Sequence, residues 1–243
     1  MLARILLITT LAFPATSFGT PPWEKAPAKW DRADAYRVLQ DSPWSPAQVK
    51  LDTKSTYRYT DRQTGWVDDS SFNRDLSHPV RGIELSRARL LRPIPVLWWS
   101  SRMVRLAQQR LVQLRNPTRP AQTLAVPNLP DYVLAIEGDE PLRILRGVTE
   151  DLHDTVFLEL PEGVTLDLQE VRYMEATDEQ NARTEFHFPR EVDGRPTIDP
   201  DTERIIFHCH ASAKIPRPYR DNAISLRAEF KPRAMRVHNL PDL

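Results

Sequence analysis

The chain reads as an α+β fold, a mixed sheet with a strand-helix-strand unit in its middle and a mostly antiparallel C-terminal part. Three observations predict this. The apolar run Ile94 to Trp99 is followed at once by helical periodicity from Arg102 to Arg115, and then by a second apolar run, Tyr132 to Ile136. Four further strand-like segments follow, at Thr155 to Leu160, Thr184 to Phe188, Arg204 to Ala211 and Ile224 to Phe230. Between them lie the turn sequences Pro161-Glu162-Gly163, Asp193-Gly194 and Ile215-Pro216-Arg217-Pro218, and no repeat of solenoid or propeller period interrupts the pattern.

Taken in chain order, the first element is a leader. Arg4, the apolar run Ile5 to Phe13 and the small residues before Gly19 have the layout of a secretory signal peptide spanning residues 1–19. The run is too short to span a bilayer, which takes about 20 apolar residues, and no later segment approaches that length. The expectation is therefore a secreted or periplasmic protein with no transmembrane segment in the mature chain. Residues 20–48 form a Pro-rich segment and a short helix: Asp31 is placed as N-cap, Trp30 can staple onto Ala35, and Ala35, Val38 and Leu39 share one face. Ser42-Pro43-Trp44-Ser45-Pro46 stops that helix, since proline cannot donate to it.

Residues 49–243 read as one α+β domain. Val49 to Tyr59 alternates apolar with polar residues as a strand does, and 60–92 reads as a long loop. Ser100-Ser101 caps the helix of the middle unit, whose apolar stripe is Met103, Val104, Ala107, Leu111 and Leu114. Arg102, Arg105, Gln109 and Arg110 take the rest of its circumference, and Asn116-Pro117 ends it. Were the two flanking strands neighbours in a sheet, a helical crossover would make them parallel.

Composition narrows the function classes. Of 243 residues 40% are hydrophobic and 27% charged, with 33 basic against 33 acidic, so neither a nucleic-acid partner nor a general membrane attraction is expected. The seven glycines never fall within two residues of one another, which excludes a G-x-G-x-x-G dinucleotide loop, a Walker phosphate loop and a tight glycine nucleophile elbow. The single cysteine, Cys209, permits no internal disulfide. Net neutrality conceals a basic stretch, nine Arg and one Glu between Arg81 and Pro120, followed by 13 acids and three Arg between Glu137 and Gln180. Either the two stretches pair across the fold or the basic one offers a face to an anionic partner, such as an anionic polymer or another extracytoplasmic protein.

Chemistry-bearing residues are sparse. In Phe207-His208-Cys209-His210 a strand sends His208 and His210 to one face and Cys209 to the other, in line with Ile205, Phe207 and Ala211. Two histidines at i and i+2 can grip one metal ion with a third ligand such as His187, so His208 and His210 are the metal-ligand candidates. The competing reading makes them surface residues of a half-exposed sheet. Adjacent acids such as Asp139-Glu140 and Asp178-Glu179 read as solvated loop residues. No catalytic residue and no cofactor is assigned.

Three blocks, in order, resemble an uncharacterised family of secreted bacterial proteins. They are Trp30 to Trp44, a helix ending in Ser-Pro-Trp; the passage around Trp99-Ser100-Ser101 followed by a strand ending in Gly138; and the C-terminal region from Phe188-Pro189-Arg190 to Phe230-Lys231-Pro232-Arg233-Ala234-Met235. The resemblance implies export and carries no activity, cofactor or catalytic residue. The expected function is a secreted non-enzymatic binding or structural module; the alternative is an extracytoplasmic hydrolase, metal-dependent if the histidines hold an ion.

Overall fold

The computed structural model describes residues 20–47, 50–51, 60–61, 65–66, 94–116, 126–148, 151–213 and 222–243. The leader, most of the 49–59 strand and 60–92 loop, and the turn at 215–218 lie outside these residues. Lys50–Leu51 (β1) is the described part of the predicted 49–59 strand. Within 60–92 a short hairpin forms, Thr60–Asp61 (β2) against Gly65–Trp66 (β3).

Helix α1 (Arg32–Gln40) starts where the sequence places it. The Asp31 side chain accepts from the Asp34 amide at 2.8 Å, and Trp30, Ala35 and Val38 are fully buried. Its end is sealed by two serines. The hydroxyls of Ser42 and Ser45 donate to the carbonyls of Val38 and Leu39, which a helix C-terminus otherwise leaves without partners.

Val96–Trp98 (β4), α2 (Arg102–Arg115) and Tyr132–Glu137 (β5) form the middle unit. The chain then continues through α3 (Asp139–Arg146), α4 (Leu152–Thr155), β6 (Val156–Glu159), β7 (Thr165–Asp167), β8 (Glu170–Met174), β9 (Arg183–Phe188), β10 (Glu191–Val192) and β11 (Arg195–Pro196). It ends in β12 (Ile205–Ala213), β13 (Asn222–Phe230), β14 (Arg236–Val237) and β15 (Leu240–Pro241). Two antiparallel sheets result, one in the order β4-β5-β9-β8 and one in the order β1-β13-β12-β6-β7. Their inner faces meet through aromatic contacts: Phe207 lies 5.4 Å from Phe186 and 6.4 Å from Phe188, and Trp98 lies 5.2 Å from Phe230. Helix α3 packs against strands of both sheets, and Ile144 and Leu145 are fully buried. No described helix is long and apolar enough to cross a membrane.

The α+β class holds, but the strand-helix-strand unit is not a parallel crossover. Strands β4 and β5 are neighbours and antiparallel, with Val96 opposite Ile136 and Trp98 opposite Leu134. The reason is visible at Arg105, one turn into α2, whose guanidinium donates to the Pro127 carbonyl at 2.7 Å. After α2 the chain travels back to the helix's starting end, so β5 begins beside the end of β4 and runs the opposite way.

That same residue corrects the helix face. Arg105 is buried, as is Gln108. The Arg105 guanidinium also donates to the carbonyls of Ser101 and Ser100, a set of acceptors that makes burial of a charge tolerable.

The acidic stretch after Glu137 is more ordered than a set of solvated loops. Asp139 opens α3, and β7 and β8, edge strands of the two sheets, follow one another in the chain. Gly138 makes the tight passage from β5 into α3: its φ of 125° suits glycine, and an added Cβ would meet Pro141 Cδ at 3.1 Å. At Asp193-Gly194 both residues take positive φ, closing the two-residue hairpin of β10 and β11.

Candidate functional site

Side-chain alternation sorts the β4-β5-β9-β8 sheet into an apolar and a charged face. On β9, Thr184, Phe186 and Phe188 lie on the inner face, and Arg183, Glu185 and His187 on the other. A half-buried sheet would leave that second row in water. Here Arg183, Glu185 and His187 are all more than nine-tenths buried.

The row is held by mutual pairing. Arg183 donates from Nε to Glu185 at 2.7 Å and from a terminal nitrogen to Gln180, while its guanidinium lies 4.0 Å from the centre of the Trp99 ring. His187 Nδ1 is 3.1 Å from Asp131, and its Nε2 lies 3.6 Å from Glu185, an ion-pair separation beyond hydrogen-bond range. The Glu185 carboxylate, then that of Asp131, raises the His187 pKa above the ordinary histidine value against the opposing effect of burial. For Glu185 burial acts upward, but His187 and Arg183 outweigh it and hold the pKa below the usual carboxylate value.

Apart from this charged row, a groove of about 1220 Å³ runs between the start of α2, the 240–243 segment and the Tyr132 end of β5. Its apolar lining includes Met103 and Leu106 of α2, Leu129, Tyr132 and Leu240. Three arginines line it, Arg102, Arg110 and Arg190, together with His238, whose Nδ1 lies 3.3 Å from Glu24. Arg190 is fixed: it donates to the main-chain oxygens of Leu129 and Leu243 and lies 4.4 Å from the centre of the Tyr132 ring. Burial raises the Tyr132 pKa, with the adjacent Arg190 acting the other way. Arg110 donates to the Trp30 carbonyl and to Gln113. The exposed Arg102 side chain has no hydrogen bond or ion pair among the described residues.

Among the described residues the one acidic side chain in the lining, Asp242, is already engaged. Its carboxylate accepts from the Ser101 hydroxyl at 2.6 Å and from the amides of Arg102 and Met103 at 2.8 and 3.0 Å, at the positive end of α2. Trp44 Nε1 donates to the Asp242 carbonyl at 2.6 Å, so the 240–243 segment forms a fixed wall. Ser100, also in the lining, is 2% exposed and its Oγ has no hydrogen-bond partner. The lining thus combines arginine side chains with aliphatic residues, and behind it lies the unpartnered Ser100 hydroxyl.

The metal-ligand candidates lie on the other sheet. Cys209 faces the interior with Ile205, Phe207 and Ala211, and burial pushes its thiol up to about 12. His208 stacks on Phe157 with ring centres 4.6 Å apart, and its Nε2 is 2.7 Å from Glu159. His210 is exposed. His187 belongs to the β4-β5-β9-β8 sheet, where it pairs with Asp131 and Glu185. Among the described residues no group of three or more His, Cys, Asp or Glu is arranged to hold a metal ion.

Among the described residues of the basic stretch, Arg105 and Arg110 bond main-chain carbonyls. Sequence reasoning missed the groove and the charged row. The alternation in Arg183-Thr184-Glu185-Phe186-His187-Phe188 signalled the row but not its burial, and nothing local marks Asp242. No protein-family model, curated protein or solved structure matches this chain.

Proposed function

We propose that this chain is an exported binding module, released to the periplasm or the exterior after loss of residues 1–19, and that its groove takes an anionic partner. The observation that carries the reading is the charge of the lining. Arg102, Arg110 and Arg190 belong to it, no side-chain carboxylate pairs with any of them among the described residues, and the Asp242 carboxylate is taken up by α2. Guanidiniums fixed by main-chain acceptors, as Arg110 and Arg190 are, remain available to a carboxylate, sulfate or phosphate with little ordering cost. The apolar floor adds affinity for a ligand with an aliphatic body.

The test is a titration of the mature chain with poly-L-glutamate, heparin and phosphatidylglycerol vesicles, with neutral dextran as control, at low and high salt. Binding of at least one anionic probe, weakened by salt and by Arg102→Gln, is expected. Absence of binding to all three overturns the reading.

A further inference from the structure

One wall of the groove is itself a chain segment, and its contacts show which groups engage it. Along the extended 240–243 segment, the Asp242 carboxylate rests on the first amides of α2, the Asp242 carbonyl accepts from Trp44, the Leu243 main-chain oxygen accepts from Arg190, and the partly buried Leu243 side chain packs on the core. An acidic residue followed by an apolar one is thus held by donors and core together. Beside that segment the same kinds of group are present but unengaged: the Arg102 guanidinium, and the buried Ser100 hydroxyl, which lacks a partner while lining the groove. Met103 and Leu106 continue the aliphatic floor.

We propose that the groove's partner is an extended protein segment in which acidic and aliphatic residues alternate, lying alongside residues 240–243. A carboxylate of this segment pairs with Arg102, a main-chain oxygen accepts from Ser100 Oγ, and aliphatic side chains settle on Met103 and Leu106. Charge complementarity supplies the register, because the lining is cationic and its only side-chain carboxylate is engaged. A polysaccharide fits less well. Among the described lining residues Tyr132 is the one phenol or indole, it is buried, and the Arg190 guanidinium lies over its ring, so it offers little surface for a sugar to stack on.

This inference rests on the anionic-partner reading, and the experiment separates the two. A fluorescein-labelled pentapeptide, Asp-Leu-Asp-Leu-Asp with blocked ends, is titrated by anisotropy against the full mature chain. The Asn-Leu-Asn-Leu-Asn analogue, heparin and phosphatidylglycerol vesicles run in parallel. The acidic peptide is expected to bind, and both the Asn analogue and Arg102→Gln are expected to weaken binding by about tenfold, as loss of a charge-assisted hydrogen bond does. Arg102 is exposed and without a side-chain partner, so circular dichroism of its variant should match the wild type; Ser100→Ala, in the buried wall, serves as a secondary check. Heparin or vesicle binding that depends on Arg102, with no peptide binding, overturns the peptide assignment and leaves the anionic groove standing. Peptide binding unchanged by Arg102→Gln overturns the site, and binding by none of the probes overturns both.

Discussion

His187 Nε2 stands 3.6 Å from a carboxylate oxygen of Glu185, on the same strand and with both side chains more than nine-tenths buried, while Asp131 holds the other ring nitrogen at 3.1 Å. Two acids therefore flank one imidazole, and Arg183 compensates the excess negative charge from the other side of Glu185. Such a row constrains register, because a one-residue slip of β9 would turn these charges into the aromatic core and bring the phenylalanines out.

The first prediction is a stability profile. The folded-state pKa of His187 is raised above the unfolded value near 6.5, so its contribution is complete below that pH and is lost as pH rises through the folded value. Glu185 is lowered, so its contribution is present above the unfolded value near 4.5 and is lost as pH falls through the folded one. Thermal melts should therefore show the network strongest between these limits. His187→Gln should flatten the alkaline limb and, by removing one of the two cations beside the buried Glu185 carboxylate, cost about 2 kcal/mol. An alkaline limb unchanged in the variant would contradict the assignment.

A second prediction concerns the clamp of the 240–243 segment. Asp242→Ala removes the carboxylate from the start of α2, and should cost about 2 kcal/mol in urea unfolding. Asp242→Asn keeps an acceptor and should cost less. Equal losses for the two variants would mean that the neutral acceptor kept by Asn contributes nothing there and that the charge alone holds the clamp.

The third prediction is the inertness of Cys209. Because burial pushes its thiol up to about 12 and only about 1% of the residue is exposed, a thiol reagent at neutral pH should label it slowly in the native protein and readily in denaturant. Rapid native labelling would show that the strand face is inverted or opens easily.

The fourth separates His208 from His210. His210→Gln, at an exposed position, should change stability by no more than about 0.5 kcal/mol, whereas His208→Gln loses a stacked ring and a 2.7 Å bond to Glu159 and should cost about 1 kcal/mol. Elemental analysis of the purified wild type should accompany these melts. Stoichiometric zinc lost from both variants would make the two residues ligands and favour a metal-dependent hydrolase over the binding module.

What the sequence determined by itself was local. The cap at Asp31, the stop at Ser42 to Pro46, the helix beginning after Ser101 and the alternation that sends Cys209 inward were all legible, because each depends on residues within a turn or two of one another or on a strand's period of two. Tertiary structure decided the rest. Whether β4 and β5 run parallel depends on where the chain goes after α2, and the Arg105 contact with Pro127 that marks its return joins residues whose spacing carries no pattern. The burial of Arg183, Glu185 and His187 follows the same logic: alternation places them on one face, but only the packing of other segments decides whether that face meets water or Trp99. The groove is the extreme case. Asp242 meets the Arg102 amide across 140 residues, and a convergence of that kind is a property of the folded surface, since no local propensity acts over such a distance.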